Sequence, residues 1–319
     1  MLGFEMLNKL IRRIRRKVFG IPIKINKEEY SLNFEKAEIT DHAYKVARTI
    51  RGGNRGAGVL IHGVMPRSGT VFTGELLNLH PDLHGFPNNI YEVPFLRLTG
   101  DIKSTQEAFF NSYKRNREQM GESDFLPIFG ASLMAYLTAY IPSNKRLLIK
   151  VPDVRYLNYF KDVFPGENLL ILMRDGRDIV SSTLKTWPER KFPEVCERWD
   201  LSTKMALKCK ELYRNSENGF LLARFEDVVA DPKTFVLEAC ACFNLDSTLY
   251  PFDKIDEIQV VGSSTQKKDG KATWSGMEKT KDFNPVGRWS SWSEYEKATF
   301  KKIAGETLIK SGYCDNLDW

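Results

Sequence analysis

Residues 58–80 read GVLIHGVMPRSGTVFTGELLNLH, and the order of residue types along this stretch sets the fold class. Residues 58–64 are a short apolar run bounded by glycines, the pattern of a strand buried on both faces. Residues 65–70 form a tight, glycine-containing turn. Residues 70–80 then read as a helix that ends before Pro81, because proline disfavours helical geometry in the residue before it.

Working outward, the same alternation recurs. Residues 147–151, 168–173 and 220–224 are further apolar strands. Residues 153–164, 178–187 and 193–215 read as helices. Asp231 and Pro232 supply an N-cap and a first-turn proline for another helix. Ser293 and Glu296 form a capping box for a last helix ending near Gly312. Strands separated by helices predict an α/β fold, a P-loop-like central parallel sheet with helices on both faces. Ligands of such sheets sit at the carboxyl ends of the strands. A Gly-rich break at residues 51–58 predicts two parts: an N-terminal extension at 1–50 and a single domain at 51–319.

The turn at 65–70 is an anion site on physical grounds. A turn entering a helix points several free N–H groups at one spot, where the helix dipole adds positive potential. Arg67 adds a charged fork, Ser68 and Thr70 add hydroxyls, and Gly69 permits the tight turn. It departs from the Walker pattern: five residues separate Gly63 from Gly69, and Thr70 stands where that loop has lysine. An ordinary capped strand–turn–helix is the competing structural explanation.

The chain has 319 residues, 42% hydrophobic and 28% charged, with a net charge of +6. Six basic residues against Glu5 in residues 1–20 contribute +5 of that charge, so the remainder is nearly neutral and a nucleic-acid partner is not expected. Leu7, Leu10, Ile11, Ile14 and Val18 recur at helical spacing among those basic residues. Residues 4–19 therefore read as a cationic amphipathic helix, suited to peripheral contact with an anionic membrane or to packing on protein with a solvated basic face. The five cysteines show no zinc spacing and no CxxC pair, and no apolar run of about 20 residues is present. A reducing, cytoplasmic setting is the expectation.

The residues now quoted resemble the superfamily of sulfotransferases that use 3'-phosphoadenosine-5'-phosphosulfate (PAPS), with a motif style closest to its carbohydrate and tyrosylprotein branch. GVMPRSGTVF resembles the 5'-phosphosulfate loop, and LLILMRDGRDIVSS at 169–182 resembles the 3'-phosphate element. The resemblance implies that Arg174 and Ser182 hold the 3'-phosphate. Three further segments follow in order: residues 223–232 around Phe225-Glu226-Asp227, residues 286–289 reading VGRW, and residues 304–313 ending in Gly-Tyr. The VGRW segment, with Arg288, is implied to fold over the nucleotide. Ser264 falls where relatives place a serine near the site. Val71 replaces the usual second threonine of the loop, and Phe225 the usual tyrosine.

Function follows as an expectation: in-line transfer of a sulfuryl group from PAPS to a hydroxyl, leaving 3'-phosphoadenosine-5'-phosphate, without a metal. The acceptor classes compatible with the sequence are a glycan, a glycolipid or a small metabolite. Arg67 and Lys150, in IKVPD, are the cations expected on the transferring group. Glu92, in NNIYEVPFL, is the expected base, with His84 and Asp153 as alternatives. Lys267, Lys268, Lys271, Lys279 and Lys281 suggest a cover or a dock for an acidic acceptor. Two other readings stay open: a P-loop kinase with a modified loop, and a nucleotide-binding protein without catalysis.

Overall fold

The computed structural model describes residues 25–52, 55–85, 92–213, 219–258, 265–266, 272–273 and 286–319. In chain order the elements are α1 (Asp41–Arg51), β1 (Val59–Gly63), α2 (Thr70–Asn78), β2 (Leu83–Gly85), α3 (Thr99–Ser112), α4 (Phe125–Thr138), β3 (Arg146–Val151), α5 (Phe160–Val163) and β4 (Asn168–Met173). They continue with α6 (Gly176–Thr186), α7 (Phe192–Tyr213), β5 (Phe220–Arg224), α8 (Phe225–Ala230), α9 (Pro232–Phe243), β6 (Thr265–Gln266), β7 (Ala272–Thr273) and α10 (Glu294–Lys310). Two compact units divide them: a sheet unit, 27–174 and 204–260, and a second unit, 1–26, 175–203 and 261–319.

The sheet unit holds a parallel five-stranded sheet in the order β2-β3-β1-β4-β5. Every residue of β1 and β4 is buried, which is why both read as mainly apolar runs, with His62 and Asn168 the buried polar exceptions. Edge strand β5 is half-buried along its length. The parallel α/β sheet is as expected from the alternation of strands and helices. In the second unit, Trp199, Trp292 and Phe300 pack ring on ring, and Trp319 reaches Trp289 and Phe300. The capping box at Ser293 and Glu296 is formed. The Asp231 cap and Pro232 open α9 in the sheet unit as expected.

Two local expectations are corrected. Residues 153–164 are not one helix: a 3-10 turn, Leu157–Tyr159, leads into the short α5. The Asp153 carboxylate does not cap a helix, because it accepts hydrogen bonds from Arg97 and Arg155. Tyr156 lies in the left-handed region at φ 58°, which breaks the helical path. Arg51 is the last residue of α1 rather than linker, and its guanidinium is paired with Glu167.

Asp162, on α5, is 6% exposed and accepts the backbone N–H of Ala37. Burial pushes its carboxyl up to about 6, against smaller opposing effects from that N–H, Lys103 and Lys36. A folded pKa above the ordinary value makes the native state the better proton acceptor. Its contribution is therefore complete below about pH 4 and is lost as pH rises through about 6. Asp162→Asn keeps the acceptor for Ala37 and removes the charge. It should stabilise the protein at pH 8 by about 1–2 kcal/mol, discounted for nearby lysines and relaxation, and flatten thermal stability between about pH 4 and 7. Thermal melts that track wild type at every pH would refute this.

Candidate active site

Three groups of side chains gather at the carboxyl ends of β1, β4 and β3, neighbours in the sheet unit. The first is the loop after β1. Ser68 is fully buried and closes the loop on itself: its hydroxyl donates to the Met65 carbonyl at 2.7 Å and accepts the Met65 N–H at 3.1 Å. Ser68 therefore shapes the loop, and its proton is spent there. Arg67, at φ 81°, and Gly69, at φ 93°, both adopt left-handed geometry. Gly69 is the N-cap of α2 and supplies no side-chain cap. The first-turn N–H groups of a helix have no intrahelical acceptor, the property on which an anion site at a helix start depends. Thr70 is buried in that first turn.

The second group joins β4 to this loop. Arg174 follows β4, is 5% exposed, and donates from Nη1 to the Arg67 carbonyl at 2.8 Å. Its guanidinium lies 4.8 Å from the ring centre of Phe225, the first residue of α8. The same ring covers Gly69: a Cβ placed there would stand 2.1 Å from Phe225 Cδ2. One aromatic ring thus supports both the glycine of the loop and the arginine expected on the 3'-phosphate. The sequence reading allowed Phe225 only stacking or packing; its contact with Gly69 has no local sequence signal.

The third group is on β3. Lys150 is buried, and its Nζ meets Glu92 Oε1 at 3.1 Å. Residue 92 also forms an isolated parallel bridge with residue 150, and the Val93 N–H donates to the Lys150 carbonyl. The Glu92 side chain remains 57% exposed. Lys150 is thus held under a carboxylate that solvent, or an acceptor, can reach. Glu75, on α2, was missed by the sequence reading. Burial raises its pKa and the Lys150 charge opposes that rise. Its signal was available: it sits one helical turn beyond Val71.

The alternative bases are engaged elsewhere. Asp153 holds two guanidiniums. His84 Nδ1 bonds the Gly85 carbonyl at 2.8 Å. His62 is buried, bonds the Asp153 carbonyl through Nδ1, and has its pKa lowered by burial, so its ring is neutral.

Ser182 and Arg288 lie in the second unit. Ser182 is buried on α6. Asp178, fully buried on the same helix, accepts the N–H groups of Gly287 and Arg288 at 3.0 and 2.7 Å, which seats the VGRW segment against α6. Burial lowers the pKa of Arg288, partly opposed by Asp178. The second Asp of the 174–178 motif thus has an anchoring job that the sequence reading did not assign. Ser264, the amphipathic segment at 4–19 and the five lysines from 267 to 281 lie outside the described residues. Among the described residues no His, Cys, Asp and Glu cluster has the makings of a metal site.

Comparison with known proteins adds a family. The description Sulfotransferase family matches residues 59–248. Protein-tyrosine sulfotransferase A of Caenorhabditis elegans is 23% identical over 203 residues, 60% of this chain; the chain spans about half that relative, 51% of its length. Among solved structures, the sulfotransferase domain of the Synechococcus PCC 7002 olefin synthase is similar with a TM-score of 0.47 and 16% identity, over 80% of this chain and 96% of that one. Mouse sulfotransferase SULT7A1 is similar with a TM-score of 0.45 and 13% identity, over 85% and 90% of the two chains.

Proposed function

The chain belongs to the sulfotransferase family of enzymes, and on that premise we propose that it transfers a sulfuryl group from PAPS to a hydroxyl of a glycan, a glycolipid or a small metabolite. The observation that carries the reading is the junction of the two nucleotide elements: Arg174 donates to the carbonyl of Arg67 and rests on the ring that covers Gly69. Such a junction suits a ligand with phosphates at both ends, one on the loop after β1 and one on Arg174.

In this proposal residues 51–319 are the catalytic domain. The first-turn N–H groups of α2, with Arg67, Gly69 and Thr70, bind the 5'-phosphosulfate, and Ser68 holds the loop in shape. Arg174 binds the 3'-phosphate. By the family resemblance Ser182, Arg288 and Ser264 are assigned as further nucleotide contacts. Arg67 and Lys150 neutralise charge on the transferring group as its bond to the leaving phosphate breaks. Glu92 takes the proton of the attacking hydroxyl. Proton acceptance and charge neutralisation are thereby divided between two members of one ion pair. No step calls on a metal, as the family resemblance implies, and Thr70 stands where a Walker loop has the lysine that reaches the β- and γ-phosphates. Residues 4–19 make a peripheral contact with anionic membrane in a cytoplasmic setting. No helix among the described residues is long and apolar enough to cross a membrane.

The test is calorimetric titration with 3'-phosphoadenosine-5'-phosphate. Binding in the micromolar range is expected, much weaker for ATP, with a loss of at least about 100-fold in Arg174→Ala, since a charged donor pair to a phosphate is worth roughly 3 kcal/mol. Absence of binding, or preference for ATP with magnesium, would overturn the reading in favour of a kinase.

A further inference from the structure

A second cavity opens at the other end of the sheet, at the amino ends of β1, β3, β4 and β5. Its volume is about 320 Å³, and Gly56, Ala57, Gly166 and Gly219 form much of its wall. Two cations line it, Arg146 at the start of β3 and Lys161 on α5. Neither has an ion-pair partner among the described residues. Arg146 spends Nε on the Ala57 carbonyl at 2.7 Å and Nη1 on the Asn244 carbonyl at 3.2 Å, which leaves its Nη2 amine without an acceptor among the described residues. Lys161 makes no hydrogen bond there at all; its ammonium touches the rings of Phe160 and Tyr213, 5.9 and 5.7 Å from their centres.

The one acid of the lining, Glu167, and the nearby Asp82 offset the burial of Arg146 only in part, and neither forms an ion pair with it among the described residues. Glu167 accepts from Arg51 Nε and from the Gly58 N–H, both at 2.5 Å. Both cations are half-buried, and that burial lowers the pKa of each. Holding two unpaired cations in a shared, partly dehydrated cavity is unfavourable unless an anion joins them. The donors left over are an amine of a guanidinium and an ammonium, a set that suits a tetrahedral oxyanion rather than a planar amide or an apolar group.

We propose that this cavity binds a doubly charged tetrahedral oxyanion, such as sulfate, phosphate or a phosphomonoester, between Arg146 and Lys161. The site is separate from the loop at 65–70: the two lie at opposite ends of β1, so occupancy of one leaves the other open. An anion there would tie the start of β3 to α5 and stabilise the sheet unit.

The test is calorimetry and thermal melting of the full chain with potassium phosphate, potassium sulfate and phenyl phosphate, against potassium chloride at equal ionic strength. Binding is expected to persist in Arg174→Ala, to weaken at least tenfold in Lys161→Met, and to survive in Lys161→Arg. Without added anion Lys161→Met should melt at or above the wild-type temperature, because it removes an unpaired, half-buried charge and keeps the packing against both rings. Phenyl phosphate binding as well as the inorganic ions would identify phosphomonoesters as ligands; binding of the inorganic ions alone would identify the free ion. Phosphate and sulfate affinities unchanged in Lys161→Met, or lost in Arg174→Ala, would overturn the proposal. Should Lys161→Met fail to fold, wild-type crystals soaked in tungstate decide: an anomalous peak between Lys161 and Arg146 is expected, and its absence refutes the site.

Discussion

Lys150→Met is expected to cut turnover by about 10²–10³-fold while affinity for 3'-phosphoadenosine-5'-phosphate stays within about threefold of wild type. Loss of one preorganised donor on developing charge is worth roughly that much in other acyl- and phosphoryl-transfer sites. Lys150 lies near the end of β3, while the proposed nucleotide elements follow β1 and β4, which is why the proposal assigns the lysine to the transferring group. Methionine keeps the stem volume at this buried position. The partner it abandons, Glu92, is 57% exposed and stays solvated, so folding should be little affected. Turnover is followed as nucleotide release from PAPS with p-nitrophenol and N-acetylglucosamine as hydroxyl probes. Unchanged turnover would reduce the Lys150–Glu92 pair to a structural tie, and an equal loss of nucleotide affinity would move Lys150 into the nucleotide site.

The strands were legible because their sequences are mostly apolar, β4 buried throughout and β5 still apolar at four of its five positions although it is a half-buried edge. The apolar runs at 168–173 and 220–224 coincide with β4 and β5 to the residue. The helices between 99 and 138 were not. In α4, FLPIFGASLMAYLT is apolar nearly all round, so no polar face sets a period of 3.6. It also carries Gly130, where a Cβ would stand 1.8 Å from the Val163 carbonyl, a close helix approach that sequence shows only as a helix-weakening residue. The three-residue β2 has too few residues for any period to show.

The site divides the same way. The loop at 65–70 and Arg174 carry their signals locally: a turn entering a helix, and a charge at the end of an apolar strand. Lys150 and Glu92 were each legible alone, but their pairing spans 58 residues and emerges only from the way the 92–93 segment runs beside β3. Asp153, offered as an alternative base, shows the same long-range dependence. Its partner Arg97 lies 56 residues away, and that pairing has no local sequence signal.

Gly69→Ala should lower stability and nucleotide affinity together. Two independent penalties meet there. The residue sits at φ 93°, where a Cβ is strained by about 1–3 kcal/mol. The added carbon would also stand 2.1 and 2.4 Å from Phe225 Cδ2 and Cε2, and relieving such overpacking costs about 1–3 kcal/mol more. The ring cannot move away freely, because its other neighbours are Arg174 at 4.8 Å and Phe72 at 6.4 Å. Moving it displaces the arginine that closes on the Arg67 carbonyl, so stability and nucleotide affinity should fall together. Phe225→Leu separates the penalties. In the Gly69→Ala, Phe225→Leu double variant the steric part should be largely recovered while the backbone strain remains, giving a coupling of about 1–3 kcal/mol in the thermal-stability cycle. If Gly69→Ala melts and binds nucleotide like wild type, or if the double variant is merely the sum of the singles, the ring is not the support on which the loop and Arg174 rest.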